Sequence, residues 1–160
     1  MEMKSIPIEI PKDANLIFGQ AHFIKTAEDL YEALIENSPS IKFGLAFCEA
    51  SGSRLIRSEG NDSELIGFAE QGALKIGCGH SFLIFIRNAY PVNVLNRIKE
   101  ISEVACVYVA TANPIQVIVA ENDGGRGVLG VIDGQSPSGI EDERGKEWRH
   151  ALLRKIGYKK

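Results

Sequence analysis

With 160 residues, 44% of them hydrophobic and 24% charged, the chain has the size and composition of one globular domain that buries its own core without disulfide or metal staples. A formal net charge of -3 argues against an extended nucleic-acid footprint, and lysine and arginine gather only towards the C-terminus. No apolar run approaches the roughly 20 residues that span a bilayer, and the cysteines, Cys48, Cys78 and Cys106, form no C-x-x-C pair, so a soluble, cytoplasmic protein with reduced thiols and neither membrane nor nucleic-acid partners is expected.

Ile6, Ile8 and Ile10 alternate with polar or proline positions and predict a strand, which Pro7 and Pro11 push to a sheet edge because neither donates to a ladder. A second strand is expected over Leu16 to Phe23, with His22 in a structural role. Thr26 followed by Asp29 reads as an N-cap with an acidic N3, and Leu30, Tyr31, Leu34 and Ile35 then recur at helical spacing, so Ala27 to about Asn37 is an amphipathic helix. Lys42 to Ala50 is a nearly continuous apolar strand, joined through Ser51-Gly52-Ser53 to a second, Arg54 to Ser58, as a hairpin. Asn61 as N-cap with Glu64 at N3 starts a helix that runs to about Ile76.

Phe82 to Ile86 has the length and branching of a buried strand, and Pro91 opens a helix whose Val94, Leu95, Ile98 and Ile101 share one face. Strands follow at Ala105 to Ala110 and Ile115 to Ala120, separated by the turn Thr111-Ala112-Asn113-Pro114. Val128 to Ile132 reads as another strand. The last helix, about Glu141 to Ile156, is acidic at its start and basic at its end, with Trp148, Leu152 and Ile156 as the stripe expected to be buried and Gly157 as C-cap. Adjacent strands are too frequent for a doubly wound parallel sheet, so the pattern predicts an α/β single domain, a mixed β-sheet with helices packed on its faces.

Two stretches carry chemistry. In Lys75 to Ile86, KIGCGHSFLIFI, His80 stands between a glycine-punctuated turn and the apolar strand. Gly77 and Gly79 are free to take positive φ and leave the imidazole unshielded, as a base, a metal ligand or a phosphoryl acceptor, or simply as a histidine bonded to a turn carbonyl. A Cys78–His80 nucleophile pair is conceivable, but Cys78 fits packing better. The second stretch, Gly125-Arg126-Gly127-Val128-Leu129-Gly130, satisfies G-x-G-x-x-G, yet it leads into a strand rather than a helix, so a Rossmann reading fails. What remains is a hairpin whose bare amides approach phosphate with Arg126 as cation, or a tight glycine turn with Arg126 exposed. Asp133 suits Mg²⁺, a ribose hydroxyl or an Asx turn. The histidines lack metal-ligand spacing, so no metal site is expected.

The runs FGLAFCEASGSRLIRSEGND (Phe43 to Asp62), IGCGHSFLIFI (Ile76 to Ile86), ATANPIQVIVAE (Ala110 to Glu121) and GRGVLGVIDGQSPSGIE (Gly125 to Glu141) closely resemble the adenosine-specific kinase family, in order and spacing, over essentially the whole chain. The resemblance implies a cytosolic homo-oligomer, trimer or hexamer, that binds adenosine and adenine nucleotides and carries a histidine able to hold a stable phosphoryl group. His80 is the matching position. ATP is then the expected cofactor, with Mg²⁺ as its possible companion. The runs mark Arg57, Asn113, Gly125, Arg126, Gly127, Gly130 and Asp133 as nucleotide-binding candidates, with Glu49 and Asp133 the candidates for a general base. The alternative is a non-catalytic adenine-nucleotide sensor in which a histidine phosphate is a regulatory mark.

Overall fold

A computed structural model describes residues 1–160. The strands are β1 (Glu2–Ile8), β2 (Asn15–Gln20), β3 (Lys42–Cys48), β4 (Ile56–Gly60), β5 (Ser81–Arg87), β6 (Cys106–Thr111), β7 (Ile115–Asn122) and β8 (Gly125–Asp133). The helices are α1 (Thr26–Asn37), α2 (Ser63–Ile76), α3 (Pro91–Lys99) and α4 (Glu143–Lys155). The α/β architecture with helices on sheet faces is as expected, but the strands divide between two sheets: a five-stranded sheet in the order β4-β3-β5-β2-β6 and a three-stranded sheet in the order β1-β7-β8. Every strand pairing is antiparallel. β1 lies at an edge, where Pro7 costs no ladder bond.

Period-2 alternation sends each strand's side chains to opposite faces. Ile17, Phe43, Leu45, Phe47, Phe82, Ile84 and Ile86 pack under α1 and α3, which contribute Leu30, Leu34, Val94 and Ile98. Leu16, Phe18, Ala46, Cys48, Leu83 and Phe85 face the other way, against Leu65, Ala69, Ala73 and Ile76 of α2 and Ile115, Val117 and Val119 of β7. The second sheet therefore exists to cover, with α2, an apolar face that one helix leaves partly bare. Each of the fully buried phenylalanines, Phe18, Phe43, Phe47, Phe82 and Phe85, contributes about 1.5–3 kcal/mol by its burial.

Local details depart from the sequence reading where tertiary contacts outcompete local signals. β2 stops at Gln20, because the Ala21 N–H turns to the His80 carbonyl at 2.9 Å; His22 and Phe23 lie outside the sheet, stacked on each other. Thr26 is not an N-cap: it is buried inside the first turn of α1, its hydroxyl donating to the Phe23 carbonyl at 2.5 Å. Asp62, rather than Asn61, caps α2 by accepting from the Leu65 N–H, while Asn61 accepts from the Phe43 N–H and donates to the Ile41 carbonyl. β4 begins at Ile56 because Arg54 takes φ 52° in the preceding turn. The largest departure is α4, which buries no residue and leaves Trp148 66% and Ile156 53% exposed. Its stripe has the expected spacing but is only partly covered: Leu152 is half-buried, and Ile156 borders a cleft with Tyr90, Pro91, Val92 and Leu95. No helix is long and apolar enough to cross a membrane.

Gly44 fixes how closely α2 approaches β3. A Cβ there would lie 2.1 Å from the Ile66 nitrogen and 2.2 Å from the Leu65 carbonyl carbon, main-chain atoms that have nowhere to go. Gly44→Ala is expected to destabilise the protein by about 3 kcal/mol or more, read as a lower urea midpoint at unchanged slope.

Candidate functional site

β5 is the central strand of the larger sheet, and the chain enters it through Gly77-Cys78-Gly79-His80. Gly77 closes α2 in the left-handed region (φ 63°), its N–H donating to the Ala73 carbonyl. The second left-handed residue is His80 itself, at φ 62°, not Gly79. Gly79 is required for another reason, since a Cβ there would come within 2.9 Å of the Ala50 Cβ. A non-glycine residue in this region carries a strain of about 1–2 kcal/mol, which the surroundings offset. The His80 N–H donates to the Cys48 carbonyl at 2.7 Å and its carbonyl accepts from Ala21, so the residue is sewn between β3 and β2 by its own main chain. The half-buried imidazole stacks on Phe47 with ring centroids 5.8 Å apart and planes 16° from parallel.

The same face holds an ion pair. Arg57 is the register partner of Phe47, and Glu49 continues β3 by one residue on that side. Arg57 Nη2 donates to Glu49 Oε1 at 2.8 Å, and Glu49 Oε2 accepts from the Leu55 N–H at 2.9 Å. The Leu55 N–H and then the Arg57 guanidinium hold the Glu49 carboxyl below its ordinary value. Arg57 Nε is buried with no acceptor, while its side chain as a whole is 39% exposed. A cleft of about 410 Å³ opens beside it, lined by Ile24, Ala27, Glu28, Ile56, Arg57 and Ser58 among others. Phe47, whose ring carries the imidazole, is the contributor that sequence motifs do not single out, and Glu49, expected as a general base, is the partner of Arg57.

Cys78 is buried, and burial, then the neighbouring Cys48, pushes its thiol up to about 11. It is a packing residue, as its apolar setting suggests.

The glycine segment lies along the β7–β8 hairpin. Gly124 and Gly125 donate their N–H groups to Asn122 Oδ1 at 2.9 and 3.0 Å, so an Asx turn already occupies two of its amides. Arg126 reaches back to the end of α2, donating from Nη1 to the Lys75 and Ile76 carbonyls at 2.8 and 3.2 Å, with Nε 3.3 Å from Glu121. It caps a helix C-terminus, where a cation is favoured. Gly127 and Gly130 face open space. Gly125, Arg126 and Gly127 border a cleft of about 530 Å³ on the hairpin's edge.

Asn113 and Asp133 do come together: Asp133 Oδ1 accepts from Thr111 Oγ1 at 2.9 Å and from Asn113 Nδ2 at 3.0 Å, while the Asn113 N–H donates to Thr111 Oγ1. This clasp stands at the far end of the sheet, because Thr111 pairs with Leu16 and Leu16 with Phe85, whereas Gln20 pairs with Ser81 beside His80. At about 3.3 Å per residue and 4.8 Å per strand, the two groups are roughly 20 Å apart. The structure thus gathers His80, Arg57 and Glu49, sets Arg126 under α2 close to the Gly77 turn, and leaves Asn113 and Asp133 apart. No three His, Cys, Asp or Glu side chains converge to share a metal ion.

The left-handed backbone at His80 makes His80→Gly more stable than His80→Ala by about 1 kcal/mol, since both lose the ring but only alanine keeps the strain; chemical denaturation of the two variants measures it. Glu49, whose folded carboxyl sits below its ordinary 4.5, adds stability that is fully present above that value and is lost as pH falls through it towards the lower folded one. Glu49→Gln is therefore expected to be less stable than the parent at pH 7, with the difference shrinking as the pH is lowered below the ordinary carboxylate value in urea titrations.

Comparison with known proteins identifies the family and the fold. The family model described as adenosine specific kinase matches residues 6–159. The crystal structure of the PH1918 protein from Pyrococcus horikoshii OT3 superposes with a TM-score of 0.96 at 48% sequence identity, over 99% of this chain and 98% of that one. No curated protein matches. A family match over nearly the whole chain, joined to the same fold in a relative of this identity, places the sequence: the chain belongs to the adenosine-specific kinase family.

Proposed function

We propose that this chain is an adenosine- and adenine-nucleotide-binding phosphotransferase in which His80 carries the phosphoryl group. The observation that supports the reading most is the pairing, on one sheet face, of a half-buried, backbone-clamped imidazole with an arginine whose Nε has no acceptor. In the first step an imidazole nitrogen of His80 attacks the γ-phosphorus of ATP; the N–P bond forms as the bond to the β,γ-bridging oxygen breaks, and ADP leaves with that electron pair. In the second step the 5′-hydroxyl oxygen of adenosine attacks phosphorus and the N–P bond breaks, giving AMP. The electron pair returned to the imidazole nitrogen makes it the acceptor for the hydroxyl proton. This assignment relieves Glu49 of the role of general base, for which a carboxyl held low by two donors is poorly suited. Glu49 instead aims Arg57, whose fork neutralises charge on the transferring oxygens.

The cleft beside Arg57 has the volume of a nucleoside site, with Ile24, Ala27 and Ile56 as apolar wall and Ser58 and Glu28 as polar groups for ribose and base. Mg²⁺ enters as part of the substrate, chelated by the nucleotide phosphates, which matches the lack of a carboxylate cage. Asn113 and Asp133 stand too far from His80 to touch its phosphoryl group within one chain, so the proposal assigns them no step.

The test is incubation with γ-labelled ATP, with and without adenosine, following acid-labile, alkali-stable protein phosphate and AMP. Label on the parent that is absent from His80→Ala and is chased into AMP by adenosine is the expected result, with Arg57→Ala slowing labelling by about 10²-fold or more. Label that stays on the protein makes the chain a sensor rather than a kinase. Binding of adenosine without any label or AMP overturns the histidine mechanism.

A further inference from the structure

Among the residues buried in this molecule only one is charged. Glu103, in the turn between α3 and β6, is 4% exposed, and the other buried polar residues are Thr26, Ser81 and Thr111. Its Oε1 accepts from the Lys25 ammonium at 2.8 Å, while its Oε2 is buried with no partner. The Lys25 hydrogen bond holds the carboxyl below its ordinary value against burial, which pushes it up, so the group is buried as an anion. For stability alone this is a poor arrangement. Taking a carboxylate out of water is costly, a lysine that is itself 55% exposed returns only part of that cost, and an apolar pair of similar volume is commonly as stable or more so.

What the pair supplies is a tie between segments far apart in the chain. Lys25 also pairs with Asp29, but that partner is four residues along α1 and stays within one element. The bond to Glu103 spans 78 residues. It joins the entry of α1 to the turn before β6, and that turn is fixed to β2 by the Ala105 N–H, which donates to the Gln20 carbonyl at 2.8 Å. The entry of α1 depends on such a tie, because its N-cap position, Lys25, makes no side-chain cap.

The same entry is one wall of the cleft beside Arg57. Ile24, Ala27 and Glu28 form that wall, and Ile56 to Glu59 of β4 form the other. β4 is held by its ladder with β3, whereas no ladder reaches residues 21–26. We propose that Glu103, acting through Lys25, is a positioning residue for this cleft: it sets the distance of the Ile24 to Glu28 wall from Arg57, and with it the fit of the nucleoside. This rests on the placing of the nucleoside in the cleft under the proposed function. Glu103 does not itself line the cleft, so it acts on binding and not on the phosphoryl steps. Adenosine and ATP share the nucleoside and feel a change there equally.

The experiment uses the full chain and measures adenosine affinity by calorimetry, the KM and saturating rate of labelling with γ-labelled ATP, and amide hydrogen exchange. Glu103→Gln keeps the shape and removes the charge, leaving Lys25 to Asp29. It is expected to weaken adenosine binding and to raise the KM for ATP by the same factor, about tenfold, with the saturating rate within about twofold of the parent. Exchange is expected to quicken at residues 24–28 and to stay as in the parent along β4. A merely structural role lowers the amount of folded protein, and so the amplitude of labelling, without moving KM. Where Glu103→Gln is too unstable, the double variant Lys25→Met/Glu103→Leu decides: its apolar pair is expected to match or exceed the parent's urea midpoint while adenosine still binds about tenfold more weakly. Parent affinity in a folded variant overturns the proposal, as does a fall in saturating rate with KM unchanged. A parent that binds adenosine but takes no label sinks the histidine mechanism and leaves this inference to be decided by the affinities. A parent that binds no adenosine overturns both.

Discussion

Two main-chain hydrogen bonds at one residue organise this end of the molecule. The His80 N–H reaches the Cys48 carbonyl and the His80 carbonyl receives the Ala21 N–H, so the strand to either side of β5 holds it in a left-handed conformation that a histidine would not choose. The clamp does three things at once. It ends β2 at Gln20, it turns the chain out through His22 and Phe23, and it sets the imidazole flat against Phe47. The side chain is thereby oriented without spending either ring nitrogen on a backbone bond. Strain of this kind persists only where the surrounding structure over-determines it, and such places are commonly functional.

The arginines near this loop illustrate how burial and competition assign roles to similar residues. Arg126 meets the unsatisfied carbonyls at the end of α2 and the carboxylate of Glu121, and its fork is largely consumed in holding the hairpin to the helix. Arg57 meets one carboxylate and keeps a donor without an acceptor. Arg57 also borders an open cleft, whereas Arg126 is turned towards the end of α2. The glycines of the hairpin follow the same logic, since Asn122 already satisfies the amides of Gly124 and Gly125.

Much of this was legible in the chain. The order and kind of nearly every element follow from hydrophobic period and turn chemistry, because each strand and helix has one neighbour-facing side that must be apolar. The edge position of β1 followed from its prolines, and the apolar run of β5 from its central place in the sheet. The prominence of His80 was also legible, through its flanking glycines. Caps were less so: Thr26 and Asn61 have the chemistry of N-caps, but a buried carbonyl at Phe23 and the main chain at Ile41 and Phe43 bind them first.

The sequence by itself determined the family, the α/β alternation, the apolar faces and the histidine at the mouth of the central strand, since all of these depend on residues close together in the chain. Tertiary structure alone decided that the strands form two sheets, that Asn113 and Asp133 clasp each other at the end remote from His80, and that Arg126 caps α2 while Arg57 lies with Glu49 on the face of Phe47. It also decided that the stripe of α4 is only partly covered, with no residue of the helix fully buried. Hydrophobic period says that a face must be covered and says nothing about which surface covers it, because that choice is made by strand order and register, across distances the local pattern does not encode.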